Sequence, residues 1–409
     1  MSKKLILIII MFISIQFSVL SLIQGQDTKP DFPQFRAHVV DKFPGGYKVA
    51  VADLNNDGRP DIIGLSTNPA NLVWYENPSW EKHVITTKTK ENIDLAVYDI
   101  DNDGRLDIAL ADEFGMSRTT AGGLLHWLKC PDNPTREWEL TYIGEEPTSH
   151  RLLWADINGD GKKELVNVPI MGRGAKEPDW NVGVNLVWFD VPENPSKNRW
   201  EPQLIDNTLT VIHGASVVDW NGDRCEDILT ASFEGVHVFS PNVRENMVAW
   251  KKNHIGEGYQ TDAPERGASE IALGEIGSSS NRFFATIEPW HGDNVVVYTP
   301  GKERDTLWNR HVIDSTFNEG HALVCADIDN DGIDEIIAGY RGKGASLFIF
   351  RADGSDGTSW KRITLDNGDM ATSGICTADI NGDGYLDIIA VGTSTGNIKW
   401  YENTGIGIK

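Results

Sequence analysis

Short stretches of alternating apolar and polar residues run along most of the chain, separated by glycine, asparagine, proline and aspartate. The first set reads KVAVADL, PDIIGL, NLVWYEN and WEKHVI, four segments of strand length rich in β-branched and aromatic residues. Such alternation is typical of β-strands, and the residues between the segments favour turns. The pattern therefore predicts an all-β chain built from four-stranded units.

One phrase recurs with these units: VADLNNDGRPD, VYDIDNDGRLD, WADINGDGKKE, VDWNGDRCED, CADIDNDGIDE and TADINGDGYLD, with a degenerate seventh copy in LGEIGSSSNRF. The interval between copies is close to that of propeller blades. Seven copies predict a seven-bladed β-propeller. The acidic residue that anchors each copy is Asp53, Asp99, Asp156, Asp219, Glu275, Asp327 or Asp379.

The two ends of the chain supply complementary parts of one blade. The C-terminal NIKWYEN matches a third strand, whereas FRAHVVDKF, near the start, matches a fourth strand. We therefore expect the N-terminal strand to close the last blade, which removes the unpaired sheet edges of an open array. The tryptophans that open the fourth strands are interpreted as packing between blades.

The first residues have the features of an export signal. Lys3 and Lys4 precede an apolar run over residues 5–23, and Gly25 is a small residue suited to cleavage. We predict a signal peptide over residues 1–25 and one propeller domain over residues 26–409, secreted or periplasmic and free of the membrane once the signal is removed. An uncleaved membrane anchor is the alternative.

The chain is strongly acidic, with a net charge of −23. This charge disfavours non-specific binding to nucleic acid or to an anionic membrane surface. We expect no nucleic-acid partner and a monomeric protein.

Much of the acidity lies in the recurring phrase, whose spacing Asp-x-Asp/Asn-x-Asp-Gly-x-x-Asp/Glu places oxygen ligands around a tight turn, as hard calcium ions require. The alternative is a turn in which the side-chain oxygens bind only backbone amides. We predict structural calcium and expect it to bind least well to the fourth loop, which has Arg224 in place of glycine, and to the fifth loop in chain order, around Glu275. The candidate ligands are Asp53, Asn55, Asp57, Asp61, Asp99, Asp101, Asp103, Asp107, Asp156, Asn158, Asp160, Glu164, Asp327, Asp329, Asp331, Glu335, Asp379, Asn381, Asp383 and Asp387.

Basic and aromatic residues gather in the loops of the opposite face. His150, His213 and His321 each lie six residues before the anchor of their blade, at the start of the innermost strand. Three histidines at one register predict a catalytic cluster at the central channel, although a single histidine there is more often structural. The candidate substrate-binding residues of this face are Lys48, Arg151, Arg173, Arg266, Trp290, His291, Tyr340 and Arg341.

This set of side chains suits an anionic sugar, since guanidinium groups pair with carboxylates and aromatic rings stack on pyranose rings. Neutralising a uronate carboxylate acidifies the adjacent C5 proton, which a neutral histidine or tyrosine can remove to expel the oxygen at C4. Hydrolysis would instead require two facing carboxylates. The few carboxylates of this face are Asp94, Glu265, Glu270, Glu288 and Glu319.

The blade phrase resembles the integrin-like FG-GAP or VCBS repeat. With HRLLWAD, IHGASVVD and GHALVCAD at the strand starts, the layout is similar to secreted seven-bladed propeller enzymes that act on rhamnose–glucuronic acid linkages, namely rhamnose-α-1,4-glucuronate lyases and related α-L-rhamnosidases. The resemblance implies recognition of a rhamnosyl-glucuronate unit, as in arabinogalactan caps and ulvan.

We therefore expect a lyase that cleaves such a glycan by β-elimination, with His150, His213 or His321 as base and acid, and with Arg151 and Arg266 holding the carboxylate. An α-L-rhamnosidase or a uronate dehydratase acting on the same glycans is the first alternative. A non-catalytic carbohydrate-binding or adhesion propeller is the second, because the repeat identifies a scaffold and not an activity.

Overall fold

The computed structural model describes residues 32–178, 180–245, 247–277, 281–301 and 307–406, so the predicted signal peptide lies outside the described residues. It contains 28 β-strands. In chain order they are β1 (Phe35–Lys42), β2 (Gly46–Ala52), β3 (Asp61–Ser66), β4 (Asn71–Glu76), β5 (Glu81–Thr86), β6 (Asp94–Tyr98), β7 (Asp107–Asp112), β8 (Leu124–Lys129), β9 (Glu139–Glu145), β10 (Ser149–Ala155), β11 (Glu164–Pro169), β12 (Leu186–Phe189), β13 (Pro202–Asp206), β14 (Gly214–Val218), β15 (Asp227–Ser232), β16 (Gly235–Arg244), β17 (Met247–Gly256), β18 (Ile271–Glu275), β19 (Arg282–Glu288), β20 (Asn294–Thr299), β21 (Asn309–Asp314), β22 (Gly320–Ala326), β23 (Glu335–Tyr340), β24 (Leu347–Ala352), β25 (Trp360–Asp366), β26 (Thr372–Ala378), β27 (Asp387–Gly392) and β28 (Asn397–Asn403).

The strands form seven four-stranded antiparallel sheets, which are the blades of a β-propeller. Six blades use four consecutive strands, from β2–β5 in blade one to β22–β25 in blade six. The seventh has the order β1-β28-β27-β26, with Phe35 opposite Asn403 and Lys42 opposite Asn397. The predictions of an all-β fold, seven four-stranded blades and closure by the N-terminal strand are confirmed. Within the residues that the structure describes, no helix is long and apolar enough to span a bilayer.

The core consists of layers between neighbouring blades. The second strand of each blade is buried along nearly its whole length, because both of its faces are covered by adjacent sheets, whereas the fourth strands are largely exposed. Trp138 of blade two, for example, is fully buried in a cluster with Ile63 and Trp74 of blade one. A large aromatic ring at this position holds two blades together.

The acidic loops join the first and second strands of their blades and are stabilised by their own backbone. In the first loop the Asp53 carboxylate accepts hydrogen bonds from the amides of Asp57 (3.1 Å) and Gly58 (2.8 Å). Gly58 has a φ of 85°, a conformation that favours glycine. Asp61 accepts hydrogen bonds from the amides of Leu54 (3.0 Å) and Asn77 (2.9 Å), which ties the loop to the end of β4.

Candidate active site

The first strand of each blade lies innermost, and several of these strands begin with a bulge. The pairing register shifts by one residue at the start of β2, β10, β22 and β26. A bulge leaves one residue unpaired and re-aims its side chain, which is common next to functional sites. The residues at these four bulges are Tyr47, His150, His321 and Ser373.

Three of these residues meet around a single hydroxyl group. The Tyr47 hydroxyl lies 2.9 Å from His150 Nε2 and 3.2 Å from His321 Nε2. Both histidines are almost completely buried. His321 Nδ1 donates to the backbone carbonyl of Ser373 at 3.0 Å, so His321 Nε2 presents a lone pair to the tyrosine.

A second chain of contacts connects the other two histidines. His213 Nδ1 lies 2.9 Å from Glu270 Oε1. His213 Nε2 lies 2.8 Å from His291 Nε2, and His291 Nδ1 lies 3.4 Å from Arg341 Nη2. Arginine can only donate, so His291 Nδ1 accepts, and His291 Nε2 carries the proton that is shared with His213.

Arg151 connects the two groups. Its Nη2 donates to Glu270 Oε1 at 2.8 Å, and its Nη1 lies 3.3 Å from His150 Nε2. Burial alone would raise the pKa of Glu270, but the charge of Arg151 and the contact with His213 hold that pKa below its usual value. We call the assembled set the central ring, which consists of Tyr47, His150, Arg151, His213, Glu270, His291 and His321.

The histidines of the central ring are neutral. Burial, reinforced by Arg151 or Arg341, holds the pKa values of His150, His291 and His321 well below their usual range. Burial also lowers the pKa of His213, although Glu270 opposes it. Neutral imidazoles can accept protons or bind metal ions.

Part of the central ring lines a cavity of about 440 Å³ in the channel between the inner strands. Tyr47, Arg151, Glu270 and His321 contribute to its wall. The remaining wall is mainly apolar, with one ion pair, Lys48–Asp94, at 3.0 Å. A cavity with a few convergent polar groups in an apolar wall is typical of small-molecule sites.

An aromatic group packs beside the central ring. The Trp290 ring stacks on His291 at a centroid distance of 4.8 Å, and Trp180 and Phe233 lie 5.3 Å and 5.7 Å from Trp290. Arg266 joins this group, since its Nε donates to the Phe233 carbonyl at 3.1 Å. Arg266 is therefore placed beside the aromatic group and not at Glu270 with Arg151.

The other predicted binding residues lie at different distances from this centre. Arg341 contacts both His291 and Glu319, the latter at 3.5 Å. Arg173 lies 3.7 Å from Glu146, and Tyr340 packs against Phe317 at a centroid distance of 5.2 Å. The structure thus brings together His150, Arg151, His213, His291, His321 and Arg341, and it places Arg173 and Tyr340 in other contacts.

Sequence reasoning missed two members of the central ring. Tyr47 lies six residues before Asp53, the same register as the three histidines, so the same count would have found it. Glu270 is one of several carboxylates of this face, and nothing in the residues around it indicates that it accepts a hydrogen bond from Arg151.

The carboxylates that line the cavity are already paired. Asp94 binds Lys48 and Glu270 binds Arg151. Glu288 is fully buried, and its carboxylate accepts hydrogen bonds from the Tyr298 hydroxyl (2.6 Å) and from Arg310. Among the described residues lining the cavity, these pairings leave no two free carboxylates facing each other.

Among the described residues, four clusters of side chains have ligand atoms close enough together to hold a metal ion. Two lie in acidic loops, one lies in the central ring, and one consists of Glu76, Glu81 and His83 in blade one. In the acidic loops, carboxylate oxygens lie within 4.8 Å of one another in the second loop, and likewise in the sixth. Lys129 contacts Asp101 and Asp103 of the second loop. In the central ring, a nitrogen from each of His213, His291 and His321 lies within 4.8 Å of the other two. The carboxylate groups are Asp99, Asp101 and Asp107, and Asp327, Asp329 and Glu335.

Comparison with known proteins agrees with this architecture. Residues 122–302 match the family model of the aldos-2-ulose dehydratase β-propeller domain, and residues 53–110 and 327–390 match that of the FG-GAP-like repeat. The chain is thus a seven-bladed β-propeller with FG-GAP-like repeats, and part of it is similar to that dehydratase domain. The first match covers five residues of the central ring, namely His150, Arg151, His213, Glu270 and His291.

Curated proteins with similar sequences are longer than this chain. Aldos-2-ulose dehydratase of Phanerodontia chrysosporium is 26% identical over 319 residues, which is 73% of this chain and 34% of the relative. Phosphatidylinositol-glycan-specific phospholipase D is 24% identical in both Rattus norvegicus and Mus musculus, over 71% and 81% of this chain and 42% and 47% of the relatives. The chain therefore spans between about a third and a half of the length of these relatives.

Proposed function

We propose that this protein is a carbohydrate-active carbon–oxygen lyase, which removes a proton next to a carbonyl or carboxylate group and expels an oxygen substituent from the β-carbon. The observation that carries the proposal is the contact between the Tyr47 hydroxyl and His150, beside Arg151 at the wall of the cavity. A neutral imidazole, a phenol and a cation are the groups that an elimination requires.

Tyr47 is the group that faces the substrate, because it lines the cavity while His150 is almost completely buried behind it. The Tyr47 oxygen takes the proton from carbon and passes its own proton to His150 Nε2, 2.9 Å away. The released electron pair forms the carbon–carbon double bond as the carbon–oxygen bond breaks. Tyr47 then gives a proton to the leaving oxygen, and His150 returns its proton to Tyr47.

Arg151 stabilises the negative charge that develops on the carbonyl or carboxylate oxygen of the substrate. Its guanidinium group is held in place by Glu270, so little reorganisation is needed when the charge appears. A charge-assisted contact of this kind is strongest in a dry site.

The favoured reaction is dehydration of a small keto-sugar. The cavity of about 440 Å³ falls within the range typical of small-molecule sites, which is about 300–1,000 Å³. The relative of 26% identity is named for the dehydration of aldos-2-uloses, and loss of water from a carbon next to an acidic C–H is itself a β-elimination. We propose the same class of substrate here.

The second candidate is the lyase that cleaves rhamnose–glucuronic acid linkages. It is favoured by Arg341 and Arg266, which lie near His291 and Trp290 and are suited to a uronate carboxylate. Hydrolysis by an α-L-rhamnosidase is less favoured, because the carboxylates lining the cavity are engaged in ion pairs.

The test is an assay of the purified protein with D-glucosone, a simple aldos-2-ulose, and with rhamnosyl-glucuronate oligosaccharides. Near-ultraviolet absorbance and product masses are followed together. An absorbance increase with loss of one water from glucosone is the expected result. Cleavage of the oligosaccharide with an unsaturated product supports the second candidate, and release of rhamnose with uptake of water identifies a hydrolase. No product from either substrate, under conditions in which the protein is folded, refutes the enzymatic function and favours a binding propeller.

A further inference from the structure

The cavity of the candidate active site runs along the channel towards the acidic loops. Tyr47 and His321 line it where the inner strands begin, and Val218 lines it where β14 ends. Tyr47 lies six residues before the acidic anchor of its blade, and Val218 lies one residue before its own anchor, Asp219. The two ends of the cavity are therefore about 16 Å apart at the rise of a β-strand.

The central ring closes the channel at the end where the inner strands begin. The ring centroid of Tyr47 is 6.1 Å from that of His150 and 5.2 Å from that of His321. His213 completes the circuit, at 4.6 Å from His150 and 5.2 Å from His321, and each of the three histidines is only 1% exposed. Rings at these distances are in contact, so they leave no opening between them. Three described residues from the loops beyond the ring do not line the cavity, namely Arg266, Trp290 and Arg341.

We propose that substrate reaches Tyr47 and Arg151 through the channel from the face of the acidic loops, and that this route admits small neutral sugars and excludes anionic ones. The inference rests on the lyase function proposed above, whose two candidate substrates differ in charge. The route selects the neutral keto-sugar over a glucuronate.

Small side chains line the middle of this route. Ala215 and Val217 pack against the hydrophobic cluster between blades three and four, so the alternation of β14 turns Ser216 towards the channel. Ser216, Ala272 and Val324 all line the cavity, each three residues before the anchor of its blade. Because this layer offers few hydrogen-bonding groups, crossing it costs an ion part of its hydration.

The charges along the route also disfavour an anion. At the inner end Lys48 is paired with Asp94 and Arg151 with Glu270, so this layer carries no net charge that would compensate an anion for lost hydration. At the mouth, the acidic anchor of each blade lies at the end of the inner strand. The carboxylates that surround the opening belong to Asp53, Asp99, Asp156, Asp219, Glu275, Asp327 and Asp379. A passage lined by one sign of charge repels ions of that sign.

A bulky side chain at the mouth tests the route without touching the central ring. Val218→Trp lies about 16 Å from the register of Tyr47, which is farther than one sugar ring extends. We expect kcat/KM for D-glucosone to fall about tenfold or more, a rise in the barrier of ~1.4 kcal/mol or more. Ala249→Trp is the matched control, because Ala249 is exposed on β17 of the same blade, and its turnover is expected to equal that of the wild type. Wild-type turnover in folded Val218→Trp overturns the route.

Chemical labelling of Ser216→Cys provides a second measurement that needs no turnover. The variant is treated with neutral methyl methanethiosulfonate or with its anionic sulfonatoethyl analogue, and mass spectrometry follows the peptide that contains position 216. Each rate is divided by the rate of the same reagent with free cysteine. We expect the neutral reagent to react about tenfold faster or more on this scale, and high salt to narrow the difference. Equal rates at low salt overturn the charge selectivity.

The same labelling also identifies the entrance. Adding Val218→Trp to Ser216→Cys is expected to slow both reagents, since the new indole stands between the mouth and position 216. D-glucosone is expected to slow the neutral reagent, because the sugar occupies the route. Labelling rates that Val218→Trp leaves unchanged overturn entry from the face of the acidic loops.

The route and the lyase function fail in different ways. No product from either substrate refutes the lyase function, whereas the labelling rates still decide the route. Turnover of D-glucosone that Val218→Trp leaves unchanged refutes the route and leaves the lyase function standing. Cleavage of the rhamnosyl-glucuronate oligosaccharide refutes the selectivity for neutral sugars and leaves the elimination standing.

Discussion

Tyr47 lies in the bulge at the start of β2, and its hydroxyl group forms a hydrogen bond with His150 Nε2. Tyr47→Phe keeps the ring that packs near His321 but removes the atom that carries the proton. We expect turnover to fall by about 10²–10⁴-fold, the usual contribution of general acid–base catalysis. Steady-state kinetics of the folded variant provide the measurement.

Tyr142→Phe is the matched control for this substitution. Tyr142 is 55% exposed on the fourth strand of blade two, where loss of a hydroxyl group changes only the surface. Its turnover is expected to equal that of the wild type. Equal turnover in Tyr47→Phe would contradict the role of Tyr47.

Counting back from the acidic anchors identified His150, His213 and His321, because the seven repeats place equivalent residues at one end of the channel. Position relative to the anchor does not show which side chains converge. A β-bulge changes the direction of one side chain, whereas the next residue keeps the regular up-and-down alternation of a strand. Tyr340 illustrates the limit: its loop position suggested ligand binding, but in the structure its ring packs against Phe317.

Among the strands, the long hairpin β16–β17 contains a pair of stacked histidines. The rings of His237 and His254 lie 4.5 Å apart, and His237 Nδ1 is buried without a partner. Burial, together with the electrostatic effects of His254 and Lys252 and against the opposing effect of Asp206, lowers the pKa of His237 to about 3. His237 is therefore neutral in the folded protein at all but strongly acidic pH.

This neutral histidine makes stability depend on pH. Below the unfolded pKa of about 6.5 the unfolded chain binds a proton that the folded chain does not, so the free energy of unfolding falls as the pH decreases towards about 3. The slope from one such group is at most about 1.4 kcal/mol per pH unit. We expect the melting temperature of His237→Gln to decrease less between pH 7 and pH 5 than that of the wild type. Parallel curves would show that His237 is not responsible.

The acidic loops carry a prediction of their own. We propose that they bind structural calcium, most strongly in the second and sixth loops, where the carboxylate oxygens converge. An ion at about 100 times its Kd adds ~2.7 kcal/mol of stability. We expect chelation to lower the melting temperature by a few degrees and added calcium to restore it. An unchanged melting curve would mean that the backbone contacts of the aspartates alone stabilise these turns.

For the whole molecule, closure of blade seven connects the two ends of the chain. Removal of the residues before Phe43 would leave β28 as an exposed edge strand. We expect this truncated protein to melt at a lower temperature and to aggregate, as followed by calorimetry and light scattering. A chain that starts at Phe32 is the control, and equal stability of the two would show that β1 is dispensable.

The architecture was predictable because the same strand pattern occurs in seven repeats. A strand that is unclear in one repeat can be located from the others, and the closing strand follows because NIKWYEN matches a third strand and FRAHVVDKF a fourth. The site, in contrast, does not repeat along the chain. It combines side chains from several blades, such as Arg151 and Glu270, which are 119 positions apart in the sequence, so their contact could not be predicted from the repeat.

Closure by β1 also imposes an order on synthesis. The ribosome synthesises β1 before its partner β28, which follows about 350 residues later. At ~5–20 residues per second, that delay lasts tens of seconds. Throughout this time β1 has no permanent neighbour, so in a nascent chain of this protein β1 is open to proteases and chaperones until β28 emerges.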